Sequence, residues 1–265
     1  MIPKIIHYCW FGRAPKPLMI RMCIKSWQEI LSSYRIKEWN EDNFDMHCSP
    51  WIEKAYLDKK WAFVADYVRF KVLYEEGGLY FDTDILLKTD ISNFLKHRFF
   101  TQWEFPLDWQ YLKEYHITDT DGTFHGDKEN PKHMAMCGML TALMGAERNH
   151  PLIKRCLDYY DNTDYTGVSS SYSNQSIVCD DILLAKLWKY GLKMKDEKQC
   201  LEEGIVIYPS TTSAGSISHI HTDNYAIHLC SSTWRDGKKH EVSRWIKTVV
   251  CMFYRIPCFH KLFKL

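Results

Sequence analysis

The feature that most constrains this chain is a helical segment that ends at two glycines and runs directly into a short apolar strand followed by two aspartates. Residues 75–84 read EEGGLYFDTD. Because glycine tolerates the left-handed backbone common at helix C-termini, we predict a helix over residues 62–76 and a strand over residues 79–81. Ligands bind at the carboxyl ends of strands in open α/β sheets. Asp82 and Asp84 are therefore expected at a ligand-binding edge.

The Asp-x-Asp spacing suits a hard divalent cation. Mg²⁺ and Mn²⁺ prefer oxygen ligands, keep open positions and are often held by one or two carboxylates together with substrate phosphates. An aspartate pair in a surface loop is common without a metal, so the surroundings of Asp82 and Asp84 decide between the two interpretations. Zinc fits poorly, because the cysteines and histidines show no finger or ribbon spacing.

Composition narrows the class of protein. The chain has 265 residues, 46% of them hydrophobic, which predicts one sizeable core and a single main domain. The formal net charge is only +1, so the chain lacks the excess of basic residues that is typical of nucleic-acid binders. We therefore expect a small-molecule partner and no nucleic acid. The ten cysteines form no CxxC pair, and no apolar leader follows Met1. We therefore expect reduced thiols and a cytoplasmic location.

Alternation of strand and helix patterns along the chain predicts an α/β fold. Between the early and late elements, residues 104–135 mix charge, glycine and proline, and we predict a long irregular excursion there. The other predicted elements are strands at 4–10, 34–39, 205–209 and 225–229 and helices at 18–31, 151–160 and 177–190.

Asp66 and Arg69 are three residues apart on the predicted 62–76 helix and so share a face. An arginine neutralises a diphosphate, and an aspartate accepts hydrogen bonds from sugar hydroxyls or a base. The alternative is an ordinary surface ion pair.

Four further side chains, two aromatic and two histidine, are candidates for contacts with a ligand or a metal. His7 and Trp10 flank the end of the first strand, where nucleotide-binding α/β folds commonly form the base pocket, and Tyr80 lies on the same side of its strand as the aspartates. His228 interrupts an apolar strand and could be a third metal ligand. For each of these residues, packing in the core is the alternative.

Three segments, which follow one another in the family's order, resemble glycosyltransferase family 32, whose members carry a sugar-binding DXD motif. The segments are residues 2–12 (IPKIIHYCWFG), 65–84 and 225–234. The family includes fungal initiating mannosyltransferases and bacterial capsule enzymes. The resemblance implies a GT-A fold, a nucleotide-sugar donor, a divalent cation such as Mn²⁺ or Mg²⁺, and transfer with retention of anomeric configuration.

The resemblance also implies roles for residues in the first two segments. Trp10 corresponds to the aromatic that stacks on the base, and Tyr80 to the aromatic beside the nucleoside. Asp66 and Arg69 correspond to the pair that holds the ribose and the donor sugar.

The same resemblance assigns the metal ligands. Asp82 corresponds to the carboxylate shared between ribose, sugar and metal, Asp84 to the direct metal ligand, and His228 to the late metal ligand of related retaining enzymes. Arg69 and the cation would stabilise the negative charge of the leaving diphosphate.

In the last segment the chain departs from the family pattern. Residues 232–234 read STW where the family usually has Gly-Ser-Trp, although Trp234 still corresponds to the residue near the β-phosphate. Asn174 and Gln175 are the candidates for the amide that faces the anomeric carbon.

The last 25 residues differ in character from the rest. We predict a catalytic domain over residues 1–240 and a basic amphipathic tail over residues 241–265, which is too short and too charged to span a bilayer. The tail either packs on the domain or contacts the inner face of the membrane. The resemblance to family 32 favours membrane contact, because the acceptors of bacterial enzymes of this kind are often lipid-linked.

Two other functions are compatible with parts of this pattern. A haloacid-dehalogenase-type phosphatase also has an Asp-x-Asp after an apolar strand, but its motif follows the first strand, and Leu86 stands where that family has Thr or Val. A catalytically degenerate sugar-nucleotide binder is the second alternative.

Among donors, a UDP-hexose is favoured over GDP-mannose.

Overall fold

The computed structural model describes residues 1–105, 118–125, 138–165, 178–230 and 239–253, with only the backbone of residues 239–244. Helices and strands alternate along most of this length. In chain order they are β1 (Ile5–Cys9), α1 (Leu18–Ile30), β2 (Arg35–Trp39), α2 (Pro50–Leu57), α3 (Trp61–Glu76), β3 (Gly78–Phe81), β4 (Ile85–Leu87), β5 (Phe99–Trp103), β6 (Met139–Ala146), α4 (Pro151–Asp161), α5 (Cys179–Leu187), β7 (Gln199–Cys200), β8 (Ile205–Tyr208), β9 (Ala226–His228) and α6 (Lys239–Phe253).

Seven of these strands form one mixed sheet in the order β2-β1-β3-β6-β5-β8-β7. Strand β1 is parallel to both β2 and β3, and β5 is parallel to β8. The central strand β6 runs antiparallel to β3 and β5. The predicted α/β class is confirmed.

Side chains that alternate along the strands divide the core between the two faces of the sheet. On β3, Leu79 and Phe81 join the apolar cluster that contains α1, β4 and β9, whereas Tyr80 joins the cluster that contains α2, α3, α4 and α5. Successive strand residues point to opposite faces, so both faces of the sheet are covered. The carboxyl ends of the strands are left as the edge where polar groups collect.

The glycine pair allows α3 to pass into β3 without a loop. Gly77 and Gly78 have φ values of +66° and +114°. A Cβ on Gly77 would lie 2.7 Å from the backbone nitrogen of Arg148, and one on Gly78 would lie 2.7 Å from the carbonyl oxygen of Ile5. Both the conformation and the space require glycine, and the tight connection fixes the residues of α3 relative to those after β3.

A separate two-stranded ribbon brings a late segment beside the aspartates. Strand β4 follows Asp84 directly and pairs antiparallel with β9, with Ile85 opposite His228. The Leu229 N–H donates to the Asp84 carbonyl at 3.1 Å, and the Trp27 indole donates to the Ile85 carbonyl at 2.7 Å. The ribbon therefore carries His228 to the end of β3.

The elements predicted from the sequence are confirmed to within three residues at their ends. Helix α2 and strands β4, β5, β6 and β7 were missed. Every residue of β5 and β6 is buried, so these strands lack the alternation that identifies a half-exposed strand. Of the predicted 104–135 excursion, residues 118–125 form a small bridge between Thr118 and Phe124, and most of the rest lies outside the described residues.

The predicted amphipathic tail begins as helix α6, which packs on α1. Val250 and Cys251 are buried, and the Cys251 sulfur lies 3.9 Å from that of Cys23. Trp245 is 68% exposed on the same helix, and Ile246, Met252 and Phe253 are also exposed. In the part of the chain that the structure describes, no helix is long and apolar enough to cross a membrane. The boundary at residues 240–241 remains a prediction, and residues 254–265 lie outside the described part.

Candidate active site

A cavity of about 650 Å³ opens where β1, β3 and β5 end. Trp10 follows β1, Asp82 and Asp84 follow β3, and Glu104 follows β5, while Arg69 reaches the cavity from α3. Its size is within the range of small-molecule sites. The lining contains seven sequence-predicted residues, in agreement with the strand-end argument: Trp10, Asp66, Arg69, Tyr80, Asp82, Asp84 and His228.

Arg69 is the centre of a buried polar network. Its Nη2 donates to Asp66 Oδ1 at 2.9 Å and lies 3.3 Å from Asp82 Oδ1, and its Nη1 donates to Thr141 Oγ1 at 2.9 Å. Burial opposes the charge on Arg69, but Asp82 and other neighbouring groups outweigh it and raise the pKa of the guanidinium. Asp66 and Arg69 are 6% and 5% exposed, so the alternative of a surface ion pair is excluded.

Asp82, Asp84 and His228 form a group that fits a divalent cation. Each offers one ligand atom, and these atoms lie within 4.8 Å of one another. His228 Nε2 is 3.5 Å from Asp84 Oδ1. Carboxylate oxygens with an imidazole nitrogen suit Mn²⁺, and Mg²⁺ uses the same carboxylates.

The charge around this group also favours a cation. Among the residues that the structure describes, five carboxyl groups line the cavity, against one arginine and one lysine, Arg69 and Lys59. Burial alone would lower the pKa of His228, but Asp84, Cys230 and Glu104 raise it well above its ordinary value. The cavity thus stabilises positive charge at this position, on a protonated imidazole or on a metal ion.

Trp10 lies at the cavity as predicted. It is partly exposed, its Nε1 donates to the Ala14 carbonyl at 2.6 Å, and Lys16 Nζ lies 5.5 Å from its ring centroid. These contacts hold the indole at the cavity rim. Stacking on a base remains a prediction.

The structure corrects the assignment of His7 to the base pocket. His7 is fully buried and is not part of the cavity lining. The Trp39 indole donates to its Nδ1 at 3.0 Å, so its Nε2 carries the proton and donates to the Gly77 carbonyl at 2.9 Å. Burial lowers the pKa of His7 to about 4. His7 therefore fastens the turn between α3 and β3 to β1 instead of contacting a ligand.

Tyr80 lines the cavity but is almost fully buried. Only 1% of its side chain is exposed, and the Arg69 guanidinium lies 4.8 Å from its ring centroid. Tyr80 therefore supports Arg69 through a cation–π contact. Its place beside a nucleoside remains a prediction.

Asn174, Gln175 and Trp234 lie outside the described residues, and their roles remain predictions. Sequence reasoning missed two carboxyl groups of the cavity, Glu104 and Asp180.

The missed Asp180 is held by Thr141. The Thr141 N–H donates to Asp180 Oδ1 at 3.1 Å, and the Thr141 hydroxyl donates to the same oxygen. Burial, with the nearby charge of Glu104, raises the pKa of Asp180 to about 7. A signal for Glu104 was present, because it follows the apolar strand β5 as Asp82 follows β3.

Comparisons with known proteins agree with this site. Residues 17–101 match the model of a glycosyltransferase sugar-binding region containing the DXD motif. An uncharacterized glycosyltransferase, L373, of Acanthamoeba polyphaga mimivirus is 29% identical over 249 residues, with 86% of each chain covered.

Solved structures with related shapes are also glycosyltransferases. The PaToxG glycosyltransferase has 14% identity and a TM-score of 0.45, covering 71% of this chain and 69% of its own. The galactosyltransferase LgtC, solved with donor and acceptor sugar analogs, has 11% identity and a TM-score of 0.44, covering 94% and 95%. The sequence matches and the position of the Asp-x-Asp motif at the end of β3 together support a glycosyltransferase of the DXD type.

Proposed function

We propose that this chain is a metal-dependent, retaining hexosyltransferase. It takes a hexose from a nucleotide-sugar donor, with a UDP-hexose such as UDP-galactose or UDP-glucose favoured, and transfers it to a glycan or lipid-linked oligosaccharide in polysaccharide synthesis. The observation that carries the proposal is the convergence of Asp82, Asp84 and His228 within 4.8 Å beside Arg69 in one cavity.

The leaving group of such a reaction is a nucleoside diphosphate, which gains negative charge as the bond to the sugar breaks. Bound between Asp82, Asp84 and His228, Mn²⁺ or Mg²⁺ would supply Lewis-acid stabilisation of that charge. Arg69 contributes a second, permanent positive charge, and its contacts to Asp66 and Thr141 hold it in place before the substrate binds.

The donor occupies the cavity between Trp10 and the aspartates in this proposal. Trp10 at the rim stacks on the base, and Asp66 accepts from a sugar or ribose hydroxyl. Asp180, oriented by Thr141, is a further acceptor for a sugar hydroxyl. Retention is proposed from the resemblance to family 32, in which the leaving phosphate can accept the proton of the acceptor hydroxyl.

Calorimetry with UDP- and GDP-hexoses, each with and without Mn²⁺, tests the proposal. We expect one donor class to bind only in the presence of the metal, and the Asp158→Asn variant, which alters an exposed carboxylate on α4, to bind like the wild type. NMR of the product's anomeric proton then reports retention or inversion.

Three results would contradict the proposal. Absence of metal-dependent nucleotide binding removes its basis. Release of phosphate from simple phosphomonoesters would instead indicate a phosphatase. Metal-dependent donor binding with neither donor hydrolysis nor transfer to any glycan acceptor would indicate a degenerate binder.

We also propose that the chain is cytoplasmic and contacts the inner face of the membrane through its C-terminal region. One side of α6 packs on α1 through Val250 and Cys251, while Trp245, Met252 and Phe253 are exposed. From residue 242 to the end the sequence has five lysines and arginines and no acidic residue. Exposed apolar groups with excess positive charge are typical of helices that bind anionic lipid surfaces.

Flotation of the full chain with liposomes tests this contact. We expect binding to vesicles with anionic lipid, weaker binding to neutral vesicles, and loss of binding in a Trp245→Ser, Phe253→Ser double variant. Nucleotide binding should stay unchanged in that variant. Equal recovery of variant and wild type would contradict membrane contact through α6.

A further inference from the structure

His228 lies between two carboxylates, one on each side of its ring. Nε2 is 3.5 Å from Asp84 Oδ1, and Nδ1 is 2.9 Å from Glu104 Oε1. Both His228 and Glu104 have only 14% of their side chains exposed, so water competes little for this contact. We propose that Glu104 is a positioning residue, which sets the tautomer and orientation of His228 so that Nε2 faces the metal group. The inference rests on the proposed metal-dependent function.

An ionised carboxylate only accepts hydrogen bonds, so its contact with Nδ1 places a proton on that nitrogen. In a neutral imidazole the lone pair is then on Nε2, the nitrogen directed to Asp84. Histidines that bind metals commonly donate their other N–H to a carboxylate, which fixes the ring and makes it a stronger ligand. Glu104 supplies that arrangement here.

Glu104 is itself held firmly by backbone contacts. Glu104 comes directly after β5, and its N–H donates to the Gly138 carbonyl at 2.5 Å. Its carbonyl packs against Gly215, where an added Cβ would lie 2.0 Å from the Glu104 oxygen. The position of the carboxylate is therefore set by the sheet and by the segment that precedes β9.

Cys230 is the competing partner for Nδ1, and its geometry is poorer. Its sulfur lies 3.6 Å from His228 Nδ1 and donates to the Gly215 carbonyl at 3.2 Å. A thiol is a weak acceptor, and this one is directed to a different oxygen. The carboxylate of Glu104 is thus the group that holds the Nδ1 proton.

The test measures binding of Mn²⁺ alone to the full chain by electron paramagnetic resonance. Glu104→Met removes the acceptor at similar size, and we expect it to weaken Mn²⁺ binding about 10–100-fold, as for other partners of metal-binding histidines. Glu104→Gln keeps an acceptor oxygen and should weaken binding less. Should Glu104→Met fail to fold, Glu104→Gln carries the test, with a smaller but measurable loss expected.

Two controls separate position from charge. Glu147→Gln removes a carboxylate that pairs with Arg98 away from the cavity and should leave Mn²⁺ affinity unchanged. Cys230→Ala should affect the affinity less than Glu104→Met. An equal loss in Glu147→Gln, or a larger loss in Cys230→Ala, would overturn the proposal.

NMR of ¹⁵N-labelled histidine in the Zn²⁺-loaded protein gives a readout that a purely structural role would not change. The wild type should show His228 protonated at Nδ1 and metal-bound at Nε2, and Glu104→Met should show both tautomers. Mn²⁺ binding by the wild type with unchanged affinity in both Glu104 variants contradicts the role of Glu104 alone. Failure of the wild type to bind Mn²⁺ contradicts the metal-dependent function and, with it, this proposal.

Discussion

Two histidines in strands of this protein lie in opposite electrostatic environments. His7 on β1 and His228 on β9 both interrupt apolar sequence and are both largely buried. His7 contacts a backbone carbonyl and an indole, and burial lowers its pKa to about 4. His228 lies between Asp84 and Glu104, and these carboxylates outweigh burial and raise its pKa.

The neighbours of a buried histidine, more than its burial, therefore decide its role. Around His7 every ring nitrogen has a neutral partner, so the region is a closed structural network. Around His228 the negative charges exceed the positive ones, so the region favours a cation. Three substitutions test this distinction between a structural and a ligand-binding region.

Asp84→Asn should have the largest effect. Losing one carboxylate of the metal group is expected to lower sugar transfer on the order of 10³-fold. The reason is that the variant would hold the metal ion poorly, and the positive charge of that ion offsets the negative charge of the leaving diphosphate. Mn²⁺ binding should weaken in parallel, while thermal unfolding stays close to that of the wild type. Donor turnover and Mn²⁺ titration are the measurements.

A matched control is Asp158→Asn, which removes an exposed carboxylate paired with Lys154 on α4. It should change neither quantity. Near wild-type transfer by Asp84→Asn would remove Asp84 from the metal group and with it the electrostatic distinction between the two regions.

Arg69→Lys should have the next largest effect. Lysine keeps the charge but cannot contact Asp66 and Thr141 together in the planar geometry of a guanidinium. We expect turnover to fall about 10²-fold, comparable to the loss of a charge-stabilising donor. Arg98→Lys, in a partly buried ion pair with Glu147 away from the cavity, is the control. Equal turnover in the two variants would show that Arg69 only holds the fold.

His7→Gln should leave metal binding unchanged and alter stability in acid. Because the native pKa of about 4 is below the unfolded value of 6.5, the unfolded chain binds more protons between these pH values. The wild type should therefore lose about 2–3 kcal/mol from this group as pH falls from 7 to 4.5, a loss absent in His7→Gln.

Urea unfolding at both pH values measures this difference. His47→Gln, at a histidine with 78% of its side chain exposed, should follow the wild type. A wild-type pH dependence in His7→Gln, or weakened Mn²⁺ binding in it, would contradict the structural role of His7.

Sequence reasoning was strongest where local rules act. The Gly77–Gly78 pair indicates a sharp turn between α3 and β3. That turn predicts where β3 ends, and therefore where Asp82 and Asp84 lie. It was weakest for β5 and β6, which are buried throughout and show no periodicity, and so it missed Glu104 and Thr141 that these strands position.

Patterns in the sequence were enough to predict the α/β class, the DXD motif at a strand end and the candidate residues Asp66, Arg69 and His228. Burial and hydrogen bonding in the folded chain show that His7 is structural and that Glu104 and Asp180 line the cavity. Motifs depend on neighbours along the chain, which a sequence displays directly. The charge and burial around a side chain depend on strand order and register, which join residues as distant as Glu104 and His228.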